Sequence, residues 1–142
     1  MYLWDSNILR HYPEDHPVLK AHLQRVLLTE IALPSVVVAE VLRGRCESAL
    51  KAPADRAARA HAQLLETHRL VQTFQVIVFD QHCAALLQQL QQKHKSHKRY
   101  PDLMIAATAL ALNHIVVTRN TRHFADLLPA NRLANWIDDP PR

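Results

Sequence analysis

The chain has 142 residues, 49% of them apolar and 21% charged, which supplies one packed domain and leaves little length for two. Its single glycine excludes every glycine-rich phosphate loop and any GxSxG nucleophile turn. The formal charge of +4, from 17 lysines and arginines against 13 acids, leans toward a polyanionic partner, and protonation of any of the ten histidines strengthens that lean.

No uncharged apolar run reaches the roughly 20 residues that a membrane-spanning helix needs. Met1-Tyr2-Leu3-Trp4-Asp5 meets an acid too early for a signal peptide. Cys46 and Cys83 fit neither a disulfide framework nor a zinc site, so two buried thiols in a reducing cytoplasm are expected.

Tyr2-Leu3-Trp4 reads as a short buried strand that ends in a carboxylate, and Asp5-Ser6-Asn7 starts a helix. Pro17 fits the first turn of a helix with an apolar stripe through Val18, Leu19, Leu23, Val26 and Leu27. Ile31-Ala32-Leu33 is strand-like. Ser35 is the expected N-cap of a helix over Val36–Leu42 that continues through Arg43, despite its β-branched residues. Ala-rich Ala54–Leu70 is a helix. Thr73–Phe79 is a strand, and Asp80 caps a helix carrying Cys83, Leu86, Leu87 and Leu90. That helix gives way to the basic loop Lys93–Arg99. Pro101 then opens the apolar helix Asp102–Leu112. Ile115-Val116-Val117 is a buried strand, followed by the polar turn Thr118–Thr121 and a short helix with Phe124 and Leu127. Short apolar strands alternating with helices predict one α/β domain over residues 1–142, a short central parallel sheet flanked by helices on both faces.

Ligands of such sheets bind beyond the carboxyl ends of the strands. Asp5 follows the first strand and Asn120 the last long one. Two more carboxylates interrupt apolar surroundings: Glu40 within Val36–Leu42, and Asp102 at the head of the most hydrophobic helix. A buried carboxylate needs a cation, a capping role or an exit to water. Asp5 and Asp102 also fit plain capping or helix-dipole roles, and Glu40 also fits an outward position on an amphipathic helix. Gly44, one turn after Glu40, either clears space on that face or ends the helix.

Four segments in order carry a resemblance: Met1–Leu9, Leu33–Gly44, Pro101–Leu110 and Val116–Phe124. Together they resemble PIN-domain proteins, in particular the VapC type of bacterial toxin ribonuclease, across essentially the whole chain. The resemblance implies that Asp5, Glu40 and Asp102 gather as ligands of Mg²⁺ or Mn²⁺ and that the metal activates a water against a phosphodiester of RNA, leaving a 5′-phosphate. It also implies catalytic roles for Asp5, Glu40 and Asp102, with Asn120 positioning. In the family a further acid commonly stands where this chain has His123, so a site for one metal is expected. Carboxylates suffice for such an ion, and His94 and His97 are expected in a solvated basic loop.

Arg43, Arg45, Arg119 and Arg122 flank the motifs and are the first candidates for phosphate contacts, with the Lys93–Arg99 loop second. The resemblance further implies a small antitoxin partner, a homodimer and a cytoplasmic location. The rival of another class is a catalytically weakened PIN fold acting as a binding partner in a DNA-binding toxin–antitoxin complex, which His123 keeps open. A haloacid-dehalogenase-type phosphatase would need a second Asp at the position of Asn7.

Overall fold

Successive residues of a strand point to opposite faces of its sheet, and here that alternation divides the core in two. The computed structural model describes residues 1–142. Strands β1 (Tyr2–Trp4), β2 (Ile31–Pro34), β3 (Gln75–Ile77), β4 (Ile115–Val117) and β5 (Leu133–Ala134) form one parallel sheet in the order β3-β2-β1-β4-β5. Leu3 aligns with Ala32 and Val116, and this row packs with Leu87, Leu103, Ile105 and Phe124 on one face. Trp4 aligns with Val117, and with Ile31 and Leu33 it packs on Ile8, Leu19, Val71 and Phe74 on the other.

The helices supply the two covers. Helices α1 (Ser6–His11), α2 (Pro17–Leu23) and α4 (Ala54–Gln72) bring the apolar residues of the Trp4 face. Helices α5 (Gln81–Lys93), α6 (Tyr100–Leu112) and α7 (Thr121–Phe124) cover the Leu3 face, and α3 (Ser35–Lys51) contributes Val37 to that same side. Trp4 is fully buried among the rings of Tyr12, Phe74 and Trp136. Truncating such a ring to alanine typically costs about 3–5 kcal/mol.

Several local expectations change. The helix after Pro17 stops at Leu23, so Leu27 lies beyond it with an extended backbone, 69% exposed, its N–H donating to the Glu30 carboxylate at 2.7 Å. Ser35 is the first residue of α3 and does not cap it; its hydroxyl accepts the Phe79 N–H at 3.2 Å. Gly44 does not end α3, which runs on to Lys51. The strand expected over Thr73–Phe79 keeps only Gln75–Ile77, since Thr73 still caps α4 and Val78 is 73% exposed beside this edge strand. Cys83 is buried, but Cys46 lies on an outward face of α3 and is exposed. No helix is long and apolar enough to cross a membrane.

Candidate active site at the carboxyl edge of the sheet

All strands point their carboxyl ends to one edge, and the strand order reverses its winding between β1 and β4, the place where an open sheet leaves a crevice. Asp5 and Thr118 emerge there side by side. The backbone ladder extends past both strands, with Asp5 N–H donating to Val117 O at 3.0 Å and Thr118 N–H to Ala134 O at 2.9 Å. Asp5 is 6% exposed and Thr118 fully buried.

Four donors reach the Asp5 carboxylate, the weakest being the Ser6 hydroxyl at 3.4 Å from Oδ1. Oδ1 accepts the Ser6 N–H at 2.7 Å and so caps α1, while Oδ2 accepts from Thr118 Oγ1 at 2.8 Å and Asn7 Nδ2 at 3.1 Å. Thr118 Oγ1 accepts the Asn120 N–H at 3.0 Å, and Asn7 Oδ1 accepts the Arg119 N–H at 3.1 Å. The capping reading of Asp5 is therefore correct and incomplete, because its second oxygen is held toward β4.

Helix α3 carries Glu40 and the first turn of α6 carries Asp102, both partly shielded from solvent. Burial pushes the Glu40 carboxyl above its ordinary range, and the charges of Asp5 and then Asp102 push it further against Arg43 and Arg10. Asp102 is raised for the same reasons, burial first and then Asp5, opposed by Arg99, His123 and His97. Folding thus brings acids 5, 40 and 102 within electrostatic reach of one another. Asp102 Oδ2 is buried with no hydrogen-bond partner, and His123 Nδ1 stands 3.8 Å away, too far for a hydrogen bond.

No group of three or more His, Cys, Asp or Glu side chains is placed to hold a metal ion. The donor set nevertheless fits a hard divalent ion, because it offers oxygens, one of them buried and unpartnered, and such an ion keeps several of its own waters.

The family profile of the PIN domain matches residues 2–127. The chain belongs to the PIN-domain family. No curated protein sequence matches it. Among solved structures it is similar to a toxin–antitoxin complex from Klebsiella pneumoniae, at 25% identity and a TM-score of 0.69, covering 96% of this chain and 98% of that one. It is also similar to FitAcB from Neisseria gonorrhoeae, at 25% identity and a TM-score of 0.75 over 98% of this chain and 100% of that one. With DNA-bound VapBC from Salmonella typhimurium it shares the fold, at 22% identity and a TM-score of 0.72 over 95% and 97% of the two chains. PIN domains are generally nucleases that use a divalent metal.

Against that family frame, the basic residues divide. Arg43 is exposed and only loosely paired with Glu47 at 4.0 Å, and Arg122 is exposed on α7. The Arg119 guanidinium is taken up by Asp138, with bonds of 3.1 and 3.0 Å. Arg45 is half-buried, donating to Thr67 Oγ1 at 3.1 Å and Gln63 Oε1 at 3.3 Å on α4. His97 is not simply solvated; its Nε2 lies 3.1 Å from the His123 carbonyl and ties the basic loop to α7. Asn120 is exposed just before α7, its backbone engaged by Thr118.

Sequence reasoning missed Thr118, which reads as an ordinary turn residue, and Arg10. The signal for Arg10 was its place on the last turn of the helix that Asp5 caps. Arg10, Glu40, Val41, Gly44 and Arg45 line a groove of about 280 Å³. A Cβ built on Gly44 meets nothing within 4 Å. A glycine inside a helix costs about 1 kcal/mol relative to alanine, and no packing within the chain requires this one.

Proposed function

We propose that the protein is a divalent-metal-dependent endoribonuclease, the toxin of a toxin–antitoxin pair. The observation that carries this reading is the buried, unpartnered Asp102 Oδ2 at the carboxyl edge of the sheet, with Glu40 and Asp102 raised first by burial and then by the neighbouring acids. A cation would relieve the burial and charge penalties on Glu40 and Asp102, and oxygen donors suit Mg²⁺ or Mn²⁺. Asp5 and Asp102 would hold the ion, with Glu40 directly or through water. When bound, the ion supplies Lewis acidity toward water and phosphate oxygens.

The chain's own residues supply the rest. Asp5 is locked by four donors and keeps a fixed direction. Glu40, with its carboxyl raised, is suited to orient the attacking water and accept its proton. The water oxygen bonds to phosphorus, the P–O3′ bond breaks, and the departing 3′-oxygen takes up a proton. The downstream RNA keeps a 5′-phosphate. Asn120 carries no titratable group and serves by hydrogen bonding. Arg43 and Arg122 receive neighbouring phosphates, and Arg119 joins them once it releases Asp138.

The toxin–antitoxin complexes to which the chain is similar support a small antitoxin as partner. A homodimer in a cytoplasmic setting completes this reading.

The test is cleavage of a single-stranded RNA in Mg²⁺, with EDTA as control, by the wild type, Asp5→Ala and Asp102→Asn. Magnesium-dependent cutting lost in both variants is expected. Cutting retained in both removes these acids from the mechanism.

The His123–Asp102 contact favours a second reading, a weakened PIN fold that binds without cutting, because the imidazole stands 3.8 Å from the Asp102 oxygen where the family commonly has another acid. Failure of every form to cleave, with RNA binding intact, selects it.

A further inference from the structure

Helix α3 carries one stripe of residues from the acidic site outward. Glu40, Gly44, Ser48 and Lys51 follow at helical spacing and face two adjoining grooves. The nearer groove is the one around Gly44, with Arg10 and Arg45 on its walls. The farther, about 420 Å³, lies where α3 meets α4 and is lined by Lys51, Arg56 and Arg59 among others. The two meet at the Arg45–Gln63 hydrogen bond of 3.3 Å, one partner from each lining. Glu40 is the only acid among the residues lining them. The chain's one glycine sits mid-way along this stripe, with no neighbour that a side chain would strike.

We infer that a single-stranded RNA backbone runs from the acidic edge along this face of α3, passing close over Gly44, with phosphates received by Arg10, Arg45, Lys51, Arg56 and Arg59. The inference rests on the ribonuclease reading and names the path its substrate takes. The eleven helical steps from Glu40 to Lys51 span about 16 Å, room for about five stacked nucleotides. The glycine lets the backbone approach where any larger side chain would hold it off. The cations offset the repulsion that RNA meets at the three acids. Arg45 is pre-oriented by Thr67 and Gln63 and still has free guanidinium donors for a phosphate.

The experiment is fluorescence anisotropy of a fluorescein-labelled decauridine in EDTA, where nothing is cut, across a series of KCl concentrations. Wild type, the double variant R56A/R59A and Gly44→Leu are compared, with melting temperatures measured in parallel. The double variant is expected to bind about tenfold more weakly at 0.1 M salt and to flatten the salt slope by about 1.4, two phosphate contacts at about 0.7 each. Gly44→Leu is expected to weaken binding at least as much without lowering the melting temperature. Unchanged affinity and slope in both variants overturns the path, as does a wild type that does not bind the probe. Variants that bind decauridine normally but lose a decaglutamate peptide also overturn it, assigning the grooves to an acidic protein segment. A wild type that binds along the path but never cuts in Mg²⁺ sinks the nuclease reading alone. A wild type that cuts while both variants bind and cut equally well sinks the path alone.

Discussion

Thr118 Oγ1 donates to Asp5 Oδ2 across 2.8 Å, joining the ends of two adjacent parallel strands through a threonine with no exposed surface. The same hydroxyl accepts from Asn120 N–H, so one oxygen links the first acid to the turn after β4. The hydroxyl also accepts from Asn7 Nδ2 at 3.3 Å, and replacing Thr118 with valine keeps the shape and removes all three bonds. The expected cost is about 1–3 kcal/mol, since buried partners are left unmet. Urea denaturation reads that loss. Kinetics are expected to show a fall in kcat greater than any rise in KM, and Thr118→Ser is expected to recover much of both.

Glu40→Gln removes one of three repelling charges. In EDTA near neutral pH the variant is expected to melt at a higher temperature than the wild type, while RNA cleavage falls by at least 10². The pH dependence follows from the direction of the shifts. Glu40 and Asp102 hold protons more tightly folded than unfolded, so their contribution is fully present below the ordinary carboxylate range and is lost as pH rises through their raised values. Melting temperatures across that range in EDTA are expected to decline less in Glu40→Gln. A wild-type decline no steeper than the variant's would contradict the repulsion.

His123→Asp places an acid 21 residues beyond Asp102 where an imidazole now stands 3.8 Å from its buried oxygen. In EDTA the variant is expected to be less stable, through added repulsion. With millimolar Mg²⁺ its melting temperature is expected to rise more than that of the wild type. Equal shifts in both proteins would separate His123 from the metal site.

Arg119 and Arg122 flank the same turn but differ in company. Arg119→Ala breaks a two-bond pair with Asp138 that is exposed and screened by solvent, so little stability is lost. Because that guanidinium is already engaged, Arg122→Ala is expected to flatten the salt dependence of RNA binding more than Arg119→Ala does. Anisotropy titrations of the two variants decide it.

Much of this architecture was readable residue by residue. Tyr2-Leu3-Trp4 and Ile115-Val116-Val117 are short apolar runs closed by polar turns, and both became central strands at the expected places. The acids stood out because Glu40 interrupts an apolar run and Asp102 opens the most apolar helix. What stayed hidden depended on contacts remote in the chain. The two-residue strand Leu133–Ala134 has no periodicity to detect, and Trp136 joins the core by packing on Tyr2, Trp4 and His22, all remote in the chain. Val76 and Val78 look like core but lie at a sheet edge, a matter of strand order. Thr118 and Arg10 acquire meaning only once β1 and β4 are neighbours. Gly44 was ambiguous because a helix stop and a cleared groove call for the same residue.

The division of each central strand between two cores has a mechanical result. Leu3 and Trp4 are adjacent in the chain yet belong to opposite covers, as do Val116 and Val117. Neither layer of helices can detach without stripping one side of β1 and β4, so both layers are expected to melt in a single transition. The slowest amide exchange is then expected in those two strands, directly beneath Asp5 and Thr118. The residues that aim the chemistry would thereby be the last part of the molecule to loosen.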